Sequence, residues 1–221
     1  QVFKILELLG RPYAGRLNHL GFGLIFLPEG KLSTREGRVL GLKETLDSAI
    51  QAAGKRVQQN DSLTEEERER VARVVGVGAT KFAVLRVSPE KNIVFDAEEA
   101  TRFEGYTSAF LQYSPVRCTS ILEKGGPFKA VEGEFNDEER ALASKIIGFP
   151  RAVSQAAQAE RPHQICGYLL ELAEAFSSFY SKHSVLNDEE HRDKRLALVN
   201  AARITLENGL ALLGIDCPKK M

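Results

Sequence analysis

Ile165, Leu169, Leu172, Phe176 and Phe179 follow one another at steps of four, three, four and three residues, a series that an amphipathic helix gathers onto one face. Leu196, Val199, Ala202, Leu206, Leu210 and Leu213 repeat the pattern. Gly214 comes next as a C-cap, because glycine enters the left-handed backbone region without a Cβ penalty. Asn136 with Glu139 three residues on has capping-box spacing and opens a further helix carrying Leu142 and Ile146. Pro150 has no amide to donate and is expected to end or kink that helix. From about Tyr106 onward the pattern is almost wholly helical. Four helices joined by short polar loops imply an antiparallel bundle, which places a domain boundary between residues 104 and 105.

The first part is more mixed. Val2 to Gly10 carries Phe3, Ile5, Leu6, Leu8 and Leu9 and reads as the end of a buried helix stopped at Gly10. Leu20 to Leu27 is a continuous apolar run that fits a buried strand covered on both faces, broken by Pro28-Glu29-Gly30. A polar loop, Lys31 to Gly37, precedes a helix whose expected buried stripe is Leu42, Leu46 and Ile50. Thr64 and Glu67 form a second capping box, starting a helix expected to run through Val75 with a solvated charged face. Ala83 to Val87 and Asn92 to Asp96 are candidates for a small strand pair.

Composition narrows the functional classes. Hydrophobic residues at 43% and charged residues at 27% are the balance of a soluble globular chain. Thirty basic side chains against 30 acidic ones leave no overall excess to attract nucleic acid, although a local basic face would suffice. Arg192, Lys194, Arg195, Arg203, Lys219 and Lys220 are either that face or ordinary solvated charges. Cys118, Cys166 and Cys217 are scattered and odd in number, against a disulfide framework and compatible with a reducing cytoplasm. His163, His183 and His191 lack metal spacing, so no metal site is expected. The longest apolar run is too short to cross a bilayer, and no signal peptide pattern opens the chain. A chain that starts at Gln1, with its single methionine at position 221, is expected to be part of a longer protein.

The loop Lys31 to Gly37 places cations and hydroxyls after a strand, where ligands bind in open α/β sheets and where phosphates suit such donors. By itself such a loop is more often an ordinary surface turn. Lys31-Leu-Ser-Thr-Arg-Glu-Gly-Arg-Val-Leu40, however, is similar to the K-M-S-K-S-type loop of class I aminoacyl-tRNA synthetases, in the K-M-S-T-R-x-G form of the arginyl-tRNA synthetases. Asn18-His19-Leu-Gly-Phe-Gly-Leu24 resembles the H-x-x-F-G segment of that family, and Val75 to Ala83 its G-x-G-A-x-K-[FY] segment. Phe103-Glu-Gly-Tyr-Thr107 and Leu111-Gln-Tyr-Ser-Pro-Val-Arg117 resemble F-E-G-N-T and L-Q-Y-x-x-x-R at the start of its anticodon-binding domain, with Tyr106 in place of asparagine. Leu172 to Tyr180 resembles L-x-x-x-F-x-x-F-Y, and Asn208 to Met221 the terminal G-L-x-x-L-G-I-x-x-P-x-x-M.

The resemblance runs in order over nearly the whole chain. It implies a mainly α protein, in which residues 1–104 are the last part of an α/β Rossmann-like catalytic domain and residues 105–221 an all-α anticodon-binding bundle. It implies an arginine–tRNA ligase that uses ATP, with Mg²⁺, arginine and arginine-specific tRNA as partners, in the cytoplasm and with no part for DNA or a membrane. Lys31, Ser33, Thr34 and Arg35 are then the catalytic-loop residues, Thr34 standing where many class I enzymes carry a second lysine. His19, Phe22, Gly23, Lys31 and Leu32 would border ATP; Tyr113, Tyr180 and Met221 would meet the tRNA. No H-I-G-H motif occurs, so this chain is not expected to be active alone. The alternative is a non-catalytic tRNA-binding or assembly module of synthetase ancestry.

Overall fold

In a computed structural model that describes residues 1–28, 30–31, 41–58, 60–129 and 133–221, the chain opens with helix α1 (Val2–Leu8). Gly10, at φ 64°, ends it: the Gly10 and Arg11 amides donate back to the carbonyls of Glu7 and Leu6. The expected burial of this helix does not occur, since Val2, Ile5 and Leu8 are all exposed. An extended stretch leads to β1 (Ile25–Leu27), which turns through Pro28 into β2 (Gly30–Lys31), antiparallel, with Phe26 opposite Lys31. On its other edge β1 pairs in parallel with β3 (Ile93–Val94), giving the order β2-β1-β3. Only the last three residues of the apolar run from Leu20 are therefore strand, and it is not covered on both faces: Phe22 is 84% exposed. An apolar run encodes a demand for cover without naming what supplies it, and no described element lies over this one.

Helices α2 (Leu42–Val57) and α3 (Glu65–Leu85), which lie between β1 and β3 in the sequence, pack against each other as a pair. The buried face of α2 is Ala49, Ala52, Ala53 and Val57, not the leucine stripe; Leu42 is 73% exposed, and Leu46 and Ile50 are half-buried. Small residues win because the two helices touch backbone to backbone. A Cβ at Gly76 of α3 would come within 2.6 Å of the Ile50 main chain. The Thr64 capping box forms as expected, but α3 continues ten residues beyond Val75. It absorbs Gly76 and Gly78, whose cost of about 1 kcal/mol each in a helix is offset by the close packing they allow. Ala83–Leu85 are thus helical, and the strand pair expected for Ala83–Val87 and Asn92–Asp96 is replaced by the β1–β3 pairing. The short helix α4 (Ala97–Ala100) follows, capped by Asp96.

The second half is the antiparallel bundle of α5 (Ser108–Gly125), α6 (Asp137–Ala159), α7 (His163–Lys182) and α8 (Arg192–Leu212). All five apolar residues of the α7 series and all six of the α8 series are buried in one core with Leu111, Cys118 and Leu142. Gly214, at φ 66°, closes α8, with its own amide donating to Ala211 and that of Ile215 to Leu210. Pro150 neither ends nor breaks α6, which runs on to Ala159. Helix α6 packs chiefly on α7, and the proline costs it one backbone donor.

The cations of α8 are not the solvated or RNA-facing set considered above. Lys194 and Arg195 are buried, and both contact the equally buried carboxylate of Glu139 at 2.8 Å. Arg195 also reaches Asp188 at 2.8 Å and the Ser184 carbonyl, while Lys194 donates to the Glu134 carbonyl. Arg192 pairs with Asp193, Arg203 with Glu207 and Lys220 with Glu67. These charges build structure, and only Lys219 among the six is left exposed without an ion pair among the described residues.

Candidate functional site

An arginine of α5 covers an aromatic ring of α7. Tyr113 and Arg117 stand one turn apart on α5; Phe176 and Tyr180 stand one turn apart on α7. The Arg117 guanidinium lies over the Tyr180 ring, 4.3 Å from its centroid. The Phe176 ring backs Tyr180 at 6.2 Å, tilted by 30°. Phe176 is 1% exposed, Tyr180 is half-buried, and Tyr113 is 39% exposed. Beside them opens a cleft of about 330 Å³, with Phe103, Tyr113, Ser114, Arg117, Phe176 and Ser177 in its wall. Planar aromatic faces, a planar cation and hydroxyls on one concave surface suit a flat, polar-edged ring, the shape of an unpaired nucleobase.

Of the residues singled out from the sequence, Tyr113 lines this cleft, whereas Tyr180 lies under Arg117 and is not part of its wall. Met221 is not beside them: it packs, half-buried, against the cluster of Ala53, Val57, Leu63, Val71, Val75 and Ala109. Phe103 joins the two places, since it packs on that cluster and also lines the cleft. Arg117 was missing from the sequence-derived site, although its spacing from Tyr113 on a helix carries the signal.

The other candidate site lies in the first part of the chain. His19 is exposed, its backbone amide donating to the Asn18 side chain at 2.9 Å. Phe22 points into the open. Gly23 donates to the Pro89 carbonyl at 2.7 Å, and a Cβ there would collide with the backbone of Lys91 and Asn92, so close chain contact already demands glycine. The backbone of Lys31 belongs to β2, while Leu32, Ser33, Thr34 and Arg35 lie outside the described residues.

Thiol chemistry has no support. Burial pushes the thiols of Cys118, Cys166 and Cys217 up to about 12, so none is a thiolate near neutrality. Iodoacetamide at pH 7.5 is expected to leave all three unmodified in the folded chain and to label them in urea, read by intact mass. No group of His, Cys, Asp and Glu among the described residues could hold a metal ion, and no described helix is long and apolar enough to cross a membrane.

Two family models match the chain. Residues 111–221 match the DALR anticodon binding domain, and residues 1–97 match the catalytic domain of the class I (R) tRNA synthetases. Over its full length the chain is 38% identical to an arginine–tRNA ligase of Clostridium acetobutylicum, of which it covers 40%. It is 39% identical to that of Pyrococcus abyssi, with 98% of this chain and 36% of the relative covered. The solved arginyl-tRNA synthetase of Thermus thermophilus superposes on the whole chain with a TM-score of 0.90 at 33% identity, 38% of that structure being covered. The chain therefore spans about 40% of the length of such relatives.

Proposed function

The chain belongs to the arginyl-tRNA synthetase family, with the DALR anticodon-binding domain in its second half, and from that premise we propose that it is the tRNA-reading end of an arginine–tRNA ligase joined to one wall of the ATP site. The observation that carries this reading is the Tyr113–Arg117–Tyr180 cluster beside its cleft. Single-stranded loops are bound by stacking their splayed bases on aromatic rings and guanidinium planes, and here both kinds of surface meet. Residues 105–221 form the tRNA-binding unit, with Tyr113 and Tyr180 stacking and Met221 flanking. Residues 1–104 carry the ATP side, where His19, Phe22, Gly23, Lys31 and Leu32 border the nucleotide. Lys31, Ser33, Thr34 and Arg35 act on its phosphates. Arginine, ATP and arginine-specific tRNA are substrates of the whole enzyme, which works in the cytoplasm. Mg²⁺ enters with the ATP phosphates, the usual manner for an ion that keeps much of its own water.

Tyr180→Ala tests the reading. Loss of one stacking platform, worth about 1–3 kcal/mol per base, should weaken binding of an anticodon stem-loop RNA roughly 5- to 150-fold, with helical circular dichroism unchanged. Unaltered affinity would remove the proposed stacking role.

A further inference from the structure

The residue next to Tyr113 on α5 is a glutamine with no exposed surface. Both N–H donors and one of the two acceptor positions of the Gln112 amide are used. Its nitrogen donates to the Val74 carbonyl of α3 at 3.2 Å and to the Asp216 carbonyl, beyond the end of α8, at 2.7 Å. Its oxygen accepts from the Ser108 hydroxyl at 3.1 Å. Gly78 of α3 lies against the same amide, where a Cβ would stand 2.7 Å from the nitrogen. Leucine would fill this volume as well, but only an amide with fixed partners selects one rotation of α5 against α3.

The segment that Gln112 grips is held elsewhere too. After the turn at Gly214, the Lys81 ammonium of α3 binds the Gly214 carbonyl, and Ile215 is buried. Lys220 pairs with Glu67 at 3.1 Å, and Met221 rests on the α2–α3 cluster. Residues 214–221 thus form a strap that leaves the bundle and is fastened along α3. Gln112 is its only buried polar fastening among the described residues.

We propose that Gln112 is a positioning residue, latching the strap to α3 so that Tyr113 and Met221 are held in one fixed relation for RNA. This rests on the RNA-binding reading above. The latch touches no RNA itself: it sets the rotation of the helix that presents Tyr113 and the path of the strap that ends in Met221.

A double-mutant cycle on the intact chain tests it, with Gln112→Leu, Met221→Ala and the pair, titrated against anticodon stem-loop RNA. Gln112→Leu is expected to weaken binding about tenfold, and Met221→Ala to weaken it too. The pair should bind no worse than the weaker single variant, because an unlatched strap has already lost the Met221 contact. A change that merely destabilised the fold would instead add to Met221→Ala. Losses that multiply, or wild-type affinity for Gln112→Leu, overturn the proposal. If Gln112→Leu does not fold, Lys81→Met releases the same strap from an exposed position and runs the same cycle with the same criteria. Should Tyr180→Ala bind RNA normally, the stacking reading itself falls; should Tyr180→Ala weaken binding while the cycle is additive, only the latch falls.

Discussion

Glu139→Ala is expected to destabilise the chain by about 3–5 kcal/mol, the largest effect of any single charge removal here. One buried carboxylate neutralises two buried cations, Lys194 and Arg195, and its loss strands both. Burial opposes the charge on Glu139, yet the Arg195 and Lys194 bonds, with the Asn136 amide, outweigh it and hold the carboxyl below its ordinary value. Nearby, bonds from Lys182 and His183 hold the half-buried Glu138 down to about 2. Both folded-state values lie below the unfolded value of 4.5. The stability these groups contribute is therefore complete above that pH and is lost as pH falls toward 2. Urea melts across pH should show an acid-side decline in the wild type that is shallower in Glu139→Ala. Equal stability of the two chains at pH 7 would show that the pair of cations finds other partners.

Phe176→Ala should cost about 3–5 kcal/mol by opening a cavity where α7 meets α5 and α8. It should also remove the ring that backs Tyr180. The expected signature is a lower urea midpoint with an unchanged denaturant slope, since the same surface is exposed on unfolding. RNA affinity measured where the variant is still folded should fall as well, because Tyr180 loses its fixed rotamer. A midpoint loss without an affinity loss would mean that Arg117 alone holds the Tyr180 ring.

The bundle was legible because its information is local. The α7 and α8 series, the caps at Thr64 and Asn136, and the glycine ends at Gly10 and Gly214 each need only a few consecutive residues. What was not legible depends on partners far along the chain. Lys194 and Arg195 look solvated until Glu139, 56 residues before Arg195, arrives beside them. Gly76 and Gly78 look like helix breakers until Ile50 and Gln112 press against them. Leu20 to Leu24 look like core, and burial depends on a neighbour that the run itself cannot specify. At the candidate site, Tyr113 and Tyr180 emerged through family resemblance, whereas Arg117 needed the meeting of α5 with α7 to become their centre.

The parallel pairing of β1 with β3 has a kinetic consequence. The two edges meet across a long separation, the Leu24 amide donating to the Asn92 side-chain oxygen 68 residues away. Closing so long a segment as free coil loses chain entropy before any strand contact repays it. With α2 and α3 already packed, the same ends are delivered close together and the closure becomes nearly local. The helical hairpin is thus the splint on which the sheet is assembled. Under denaturant, the short strands are the seam where this half of the chain should open first, while the bundle behind it remains folded.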